Sequence, residues 1–241
     1  MRTLVVGDIH GGLRGLEQVL ERVQPLKTDT LIFVGDYVDG WSDNAETISF
    51  LMSYAEKHRC IFLRGNHDEL LYNYLKGKES APMWLNHGGV SSIKSYAKLS
   101  EAAIEQHIQF LERLENFHID SENRCYLHAG FASSKGPQHE YFPNTVYWDR
   151  TLWEMVCSLD PNLSEEDDKY PKRLKLFKEI YIGHTPTFRI GKDVPTNFAN
   201  VWNVDTGAAF KGRLSILDAD TKQFWQSDPV WQLYPEETGR N

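Results

Sequence analysis

Side chains that bind divalent metal ions recur at five places along the 241-residue chain, each time directly after a short apolar run. These side chains are Asp8, His10, Asp36, Asp39, Asn66, His67, Asp68, His128 and His184. Polar groups in such number cannot share a buried edge without a partner of opposite charge. Imidazole with carboxylate suits Mn, Fe, Zn or Co better than Ca or Mg, and thiolates are absent from the set. The set is too large for one ion and suits a pair, which is the usual arrangement for hydrolysing phosphate esters.

Apolar runs must position these side chains. Buried strands are predicted at residues 3–7, 30–34, 60–63, 124–128 and 180–184, and helices at 13–23 and 44–57. Alternation of strand and helix predicts parallel strands joined by right-handed crossovers. Because ligands bind beyond the carboxyl ends of such strands, we expect the metal-binding side chains to meet at one sheet edge. Closely spaced strands, predicted to be antiparallel, follow at residues 201–204, 214–217 and 223–225, so the fold class is α/β with mixed strand directions.

Residues 69–117 interrupt the strands with a segment that is mostly helical in its pattern. We interpret residues 1–241 as a single domain and residues 69–117 as a helical cap insertion within it. Residues 235–241 are predicted to be a frayed tail.

Composition and charge exclude several classes of protein. The net charge is −8, from 26 basic and 34 acidic residues, and this sign opposes binding to nucleic acid or anionic lipid. Only 3 cysteines occur, widely spaced, so neither a disulfide framework nor a cysteine zinc site is expected. No apolar stretch approaches the length of a membrane span, and no signal peptide is indicated, so we predict a cytoplasmic protein.

The motifs at the strand ends occur in a specific order. They read Gly-Asp-Ile-His-Gly at 7–11, Gly-Asp-Tyr-Val-Asp-Gly at 35–40, Gly-Asn-His-Asp at 65–68, His-Ala-Gly at 128–130 and Gly-His-Thr-Pro at 183–186. This series resembles the signature of the calcineurin-like metallophosphoesterases, and within them the phosphoprotein phosphatase branch, over about residues 3–217. The segment Trp-Leu-Asn-His-Gly-Gly at 84–89 is similar to one in bacterial protein phosphatases and diadenosine tetraphosphate hydrolases. The resemblance implies a four-layer α-β-β-α metallophosphoesterase sandwich of mixed sheets.

The resemblance also implies roles for individual residues. Asp8 and His10 would bind the first of two divalent ions, Asp36 would bridge both, and Asn66, His128 and His184 would bind the second. Manganese is expected first, with Fe, Zn, Co or Mg as alternatives. A hydroxide held between the ions would attack the phosphate. His67 would be the general acid that protonates the leaving group, oriented by Asp39.

The sequence departs from the family pattern at the substrate contacts. Gly40 stands where the family has a phosphate-binding arginine, and the following Trp41 could offer a flat face to an aryl or base group. Arg150 is expected to supply a second phosphate contact, and Asn86 could reach the site from the cap. Asp68 replaces a glutamate, one methylene longer, which we treat as a lesser change.

Three functions are compatible with these features. The leading hypothesis is a metal-dependent phosphomonoesterase acting on phosphoserine, phosphothreonine or phosphotyrosine in proteins, or on a small phosphate ester. The alternative is a diadenosine tetraphosphate hydrolase, which shares the same core. A third, from another class, is a metal-stabilised scaffold without activity; the complete set of ligands together with His67 argues against it.

Overall fold

The computed structural model describes residues 1–240, which form ten strands and eight α-helices. The strands are β1 (Thr3–Val6), β2 (Thr30–Phe33), β3 (Arg59–Phe62), β4 (Phe117–Ile119), β5 (Arg124–Leu127), β6 (Glu179–Ile182), β7 (Thr196–Phe198), β8 (Val201–Asn203), β9 (Ser215–Asp218) and β10 (Phe224–Gln226). The helices are α1 (Leu13–Val23), α2 (Asn44–Ala55), α3 (Asn66–Leu75), α4 (Pro82–Trp84), α5 (Val90–Tyr96), α6 (Glu101–Glu112), α7 (Thr151–Ser158) and α8 (Val230–Leu233). Within residues 1–240 no helix has both the length and the apolarity that crossing a bilayer requires.

The strands form two mixed sheets of five strands each, in the orders β10-β9-β1-β2-β3 and β4-β5-β6-β8-β7. In the first sheet β1, β2 and β3 are parallel, and β9 runs antiparallel to β1. In the second sheet β5, β6 and β8 are parallel, and β4 and β7 are antiparallel additions at its edges. The parallel strands β1, β2, β3, β5 and β6 are those whose carboxyl ends carry the metal-binding motifs.

The apolar core is divided into three layers because each sheet buries both of its faces. Between the sheets, Val5 and Ile32 of the first pack with Tyr126 and Tyr181 of the second, whose rings stack 5.0 Å apart. Outside the first sheet lies a cluster that includes residues of α1 and α2, and outside the second a cluster that includes residues of α7. This is the four-layer α-β-β-α arrangement that the resemblance implied.

Two expectations from the sequence are wrong. The metal-binding motifs do not share the edge of one sheet, because β1, β2 and β3 belong to the first sheet and β5 and β6 to the second. Of the three closely spaced late strands, only β9 and β10 pair with each other antiparallel, whereas β8 joins the second sheet parallel to β6.

The prediction of a frayed tail is wrong for residues 235–240, which contact the rest of the protein. The Tyr234 ring is buried and stacks on Trp41 at 5.3 Å, and the backbone N–H of Arg240 donates to the carbonyl of Ala209 at 2.9 Å. Residues 235–240 therefore follow the surface of the first core layer. Asn241, also part of the predicted tail, lies outside the described residues.

Candidate metal centre

The turns after the strands hold four of the polar residues in a strained backbone conformation. His10, Asp36, Asp39 and His184 all have positive φ angles, of 54°, 55°, 71° and 69°. Non-glycine residues adopt this conformation rarely, and such strain persists only where the surrounding structure enforces it, often at functional sites. Glycine is required beside them: a Cβ at Gly65 would collide with the Asp36 carboxylate, and one at Gly183 with that of Asp8.

The Asp36 carboxylate lies at the centre of the cluster. Its Oδ2 atom is 3.5 Å from Nε2 of His10 and 3.4 Å from Nε2 of His128, on two different sheets. Two groups of converging ligand atoms share Asp36, one with His10 and His67 and the other with His128 and His184. A carboxylate with ligands on both sides has the geometry of a bridge between two cations.

Three atoms able to bind a metal ion converge on the second half of the cluster. Nδ1 of His128 donates to the carbonyl of Val34 at 2.9 Å, so Nε2 is the atom that carries the lone pair. That Nε2 atom is 3.2 Å from Oδ1 of Asn66 and 3.1 Å from Nδ1 of His184, and these last two atoms are 2.9 Å apart. These three atoms come from three residues whose donor types bind divalent ions, so their convergence fits a metal ion.

The first half of the cluster shows the same fit. Nδ1 of His10 is directed at the backbone carbonyls of Val38 (3.0 Å) and Asp39 (2.9 Å), which turns Nε2 toward the site. Within the described residues, Oδ1 of Asp8 is buried and has no hydrogen-bond partner. Burial lowers the pKa of His10 well below its ordinary value, and nearby Arg240 adds to this. A neutral imidazole and a buried unpaired carboxylate are what a divalent ion binds.

Crowded carboxylates surround the site. Burial raises the pKa of Asp8 well above its ordinary value, and the charges of Asp205 and Asp36 raise it further. The pKa of Asp205 is raised to about 6 by burial, with a contribution from Asp36. Burial and Asp36 together raise the pKa of Asp68 to about 7. Negative charge at this density calls for bound cations, whose own charge then dominates the local electrostatics.

His67, a member of the first ligand group, forms a buried pair with Asp39. Nδ1 of His67 donates to Oδ2 of Asp39 at 2.7 Å, and the His67 ring lies edge-on to His10 at 5.1 Å. The same carboxylate accepts hydrogen bonds from Nε1 of Trp84 and Oγ of Ser92, each at 2.5 Å. Asp39 is thus fixed by α4 and α5, and it fixes the His67 ring so that Nε2 is left for proton transfer.

The shorter Asp68 side chain has a positioning role. It accepts the backbone N–H groups of Asp36 (2.8 Å), Tyr37 (2.8 Å) and Gly65 (2.9 Å), and is fully buried. Asp68 therefore holds the turn that carries Asp36 against the start of α3.

The substrate contacts predicted from the sequence are placed differently from one another. Trp41 is fully buried, donates from Nε1 to the carbonyl of Ala208 at 2.8 Å and stacks on Tyr234, so the prediction that it offers a face to substrate is wrong. Arg150 is exposed at the start of α7, and it is close enough to Asp36 for the charge of that carboxylate to act on the pKa of its guanidinium. Asn86 is exposed and lines a groove between α5 and the segment 236–240.

Comparison with known proteins identifies the family. The family model for calcineurin-like phosphoesterases matches residues 1–207. The chain belongs to this family. A calcineurin-like phosphoesterase is a metal-dependent phosphoester hydrolase, which confirms the interpretation as an enzyme over that as a scaffold.

Individual calcineurin-like phosphoesterases cover nearly the whole chain. The bis(5'-nucleosyl)-tetraphosphatase PrpE [asymmetrical] of Oceanobacillus iheyensis is 24% identical over 240 residues, covering 93% of this chain and 91% of its own. A solved structure described provisionally as a diadenosine tetraphosphatase has a TM-score of 0.62 at 20% identity, covering 93% of this chain and 92% of its own. The structure of a protein serine/threonine phosphatase of Saccharomyces cerevisiae has a TM-score of 0.57 at 13% identity, covering 95% of this chain and 80% of its own. The two solved structures support the fold.

Several residues at the site were not predicted from the sequence. Trp84 and Ser92 bind Asp39, and Trp84 opens the segment 84–89 whose similarity to other phosphatases is visible in the sequence. Asp205 and Arg240 also act on the ligands electrostatically. Asp205 follows a predicted strand and could have been found by the rule used for the other motifs. Arg240 has no sequence signal.

Proposed function

We propose that this protein hydrolyses dinucleoside tetraphosphates at a dinuclear metal site. The observation that carries the proposal is a groove of about 800 Å³ beside the ligands, lined by two phenylalanines and several cations. Its connection to the site is Arg240, which lines the groove and reaches His10 with Nη1 at 3.4 Å. The names of the PrpE relatives support the same substrate class.

The groove has the chemistry of a nucleotide site. Phe188 is 45% exposed, and its ring lies edge-on to Phe210 at 5.4 Å. Arg189 and Lys211 line the same groove. Aromatic faces stack on nucleobases of any sequence, and arginine binds phosphate through paired donors. One nucleoside of the substrate would stack on Phe188 while its polyphosphate extends toward the metal ligands.

The residues of the site divide into two roles in this proposal. Asp8, His10, Asp36, Asn66, His128 and His184 would hold two divalent ions, which when bound lower the pKa of water and neutralise charge on the phosphate. His67 would protonate the departing phosphate oxygen from Nε2, while Asp39 holds the ring through Nδ1. Arg150 would neutralise charge on the substrate from the start of α7.

The proposal includes manganese as the metal and a cytoplasmic location. Imidazole and carboxylate donors without thiolate support manganese, although Fe, Zn and Co suit the same donors. Cys60, Cys125 and Cys157 are all free thiols, which supports a reducing compartment.

A phosphoprotein phosphatase is the second candidate, and a second groove favours it. This groove, of about 600 Å³, lies between α5 and residues 236–240 and is lined by Asn86, Lys94 and Lys98. It would accept an extended phosphopeptide, and its lining also includes Glu236 and Glu237.

A substrate comparison separates the two candidates. Manganese-loaded protein should show a kcat/KM for diadenosine tetraphosphate at least tenfold above that for phosphoserine, phosphothreonine or phosphotyrosine peptides. A preference for any phosphopeptide would contradict the proposed substrate.

A variant pair links that preference to the groove. Phe188→Ala should lower kcat/KM for diadenosine tetraphosphate about tenfold, because stacking of a base on an aromatic ring contributes about 1–3 kcal/mol. Its kcat/KM for para-nitrophenyl phosphate should stay unchanged. The matched control is Phe142→Ala, which removes an exposed phenylalanine outside both grooves. Equal losses in the two variants would count against a nucleoside site at Phe188.

A further inference from the structure

Arg240 places a guanidinium group against the metal ligands from a distant part of the chain. Its Nη1 atom is 3.4 Å from Nε2 of His10, the ring nitrogen that faces the site. Its Cζ atom lies 5.3 Å from the centre of the Phe210 ring, at the groove beside the site. The backbone N–H of Arg240 donates to the carbonyl of Ala209 at 2.9 Å, so its position is fixed by the main chain as well.

Trp41 forms the surface on which the segment before Arg240 rests. The Tyr234 ring stacks on Trp41, and its hydroxyl donates to Asp43 at 2.6 Å. Glu237 accepts the Ser42 hydroxyl at 2.6 Å and the Ser42 N–H at 2.9 Å. Gly239 adopts φ +60°, and a Cβ there would lie 2.7 Å from the Trp41 ring. The large residue after Gly40 thus directs the segment 234–240 across the site.

Position 40 has no room for a side chain in this fold. Gly40 has φ +151°, and a Cβ there would meet the His10 carbonyl oxygen at 2.8 Å. A side chain at position 40 is therefore excluded by the backbone of this chain. The arginine that neighbours His10 comes instead from position 240, 230 residues away in sequence.

Within the described residues the charge of Arg240 has no ion-pair partner, although it acts electrostatically on the carboxylate of Asp205. Within residues 1–240, no carboxylate lies within ion-pair distance of its guanidinium, and its buried Nε atom has no hydrogen-bond acceptor. Like charges are nearby, because the charges of Arg189 and Arg240 both lower the pKa of Arg150. A buried donor and an unpaired cation both cost free energy until an acceptor of opposite charge binds. An anion at the edge of the site would satisfy both.

We propose that Arg240 binds the phosphate group of the substrate at the metal centre. The guanidinium offers paired donors that match two phosphate oxygens. The Phe210 ring packs against the guanidinium, with Cζ 5.3 Å from the ring centre. This proposal rests on hydrolysis of a phosphate ester at this site, but it does not depend on which ester is the substrate.

Phosphate binding by the manganese-loaded protein tests the proposal directly. Calorimetric titration with inorganic phosphate should give a dissociation constant at least tenfold higher for Arg240→Gln than for the parent protein. Arg240→Lys should lie between them, because lysine retains the charge and loses the paired donors. Arg113→Gln is the matched control, since Arg113 is exposed at the end of α6 and lines neither groove of the site. The melting temperatures show that each variant is folded.

Other outcomes would overturn the proposal. A phosphate dissociation constant within twofold of the parent in Arg240→Gln would show that the guanidinium does not bind phosphate. Tighter manganese binding with unchanged phosphate binding would show that Arg240 only competes with the metal for His10. The probe is inorganic phosphate, so this test does not depend on the identity of the substrate. A preference for phosphopeptides would contradict the proposed dinucleoside tetraphosphate substrate without contradicting phosphate binding by Arg240.

Discussion

At the scale of single residues, the histidines of the site differ in the hydrogen-bond partner of Nδ1. His10 and His128 direct Nδ1 at backbone carbonyls, which turns Nε2 toward the proposed metal ions. His67 directs Nδ1 at the Asp39 carboxylate, which fixes the orientation of the ring. The partner of Nδ1 therefore distinguishes the proposed metal ligands from the proposed proton donor.

The role of His67 predicts a loss of turnover without loss of metal. His67→Asn should lower kcat by about 10²–10⁴, because that is the usual contribution of general acid catalysis. Metal content measured by mass spectrometry should equal that of the parent. His58→Asn is the matched control, since His58 stacks on Tyr54 outside the ligand groups. Unchanged turnover in His67→Asn would remove His67 from the mechanism.

Residue types and order were enough to predict the ligand cluster. Each ligand follows an apolar run directly, so local sequence carries the signal. Trp41 shows where this approach fails, because an aromatic residue after a metal motif is compatible with both a substrate contact and the core. Its burial depends on Tyr234, 193 residues later in the chain, and nothing local in the sequence indicates that contact.

At the scale of elements, helix α5 contacts Asp39 of the Asp39–His67 pair without carrying either residue. Ser92 lies on α5 and donates to Oδ1 of Asp39 at 2.5 Å, while Trp84 of α4 donates to Oδ2. These bonds satisfy a carboxylate that is fully buried. The helical segment after α3 therefore supports the pair of Asp39 and His67 from behind.

Removal of the α5 contact should weaken catalysis through Asp39. Ser92→Ala should lower kcat about tenfold, because a hydrogen bond to a charged group contributes about 1.5–3 kcal/mol and Asp39 retains Trp84. Ser95→Ala is the matched control: Ser95 is buried on the same helix and bonds Ala45 and Glu46 instead of Asp39. If both variants lose stability equally and neither changes kcat, α5 has only a packing role.

The strands that the sequence did not predict are the short ones at sheet edges. Strands β4 and β7 have three residues each and contain a polar residue at the centre, so they lack the apolar runs of the inner strands. Their pairing with β5 and β8 is decided by neighbours in space. The inner strands could be predicted because burial on both faces demands a continuous apolar sequence.

At the scale of the whole molecule, the site lies where the two sheets meet. The backbone N–H of His184, from the second sheet, donates to Asp8 of the first at 3.0 Å. Asp36 contacts a histidine on each side. Division of the ligands between two sheets was not predictable, because apolar runs of both sheets have the same pattern. The net charge of −8 disfavours anions over the surface, while metal ions and Arg240 would make the site locally attractive to phosphate.

The most direct test of this account is the number and position of metal ions in crystals grown with manganese, located by anomalous diffraction. We expect two peaks about 3.5–4 Å apart, with the Asp36 carboxylate between them. One peak should lie beside Asp8 and His10, and the other beside Asn66, His128 and His184. A single peak, or peaks that do not contact Asp36, would contradict the dinuclear centre on which the proposed hydrolysis depends.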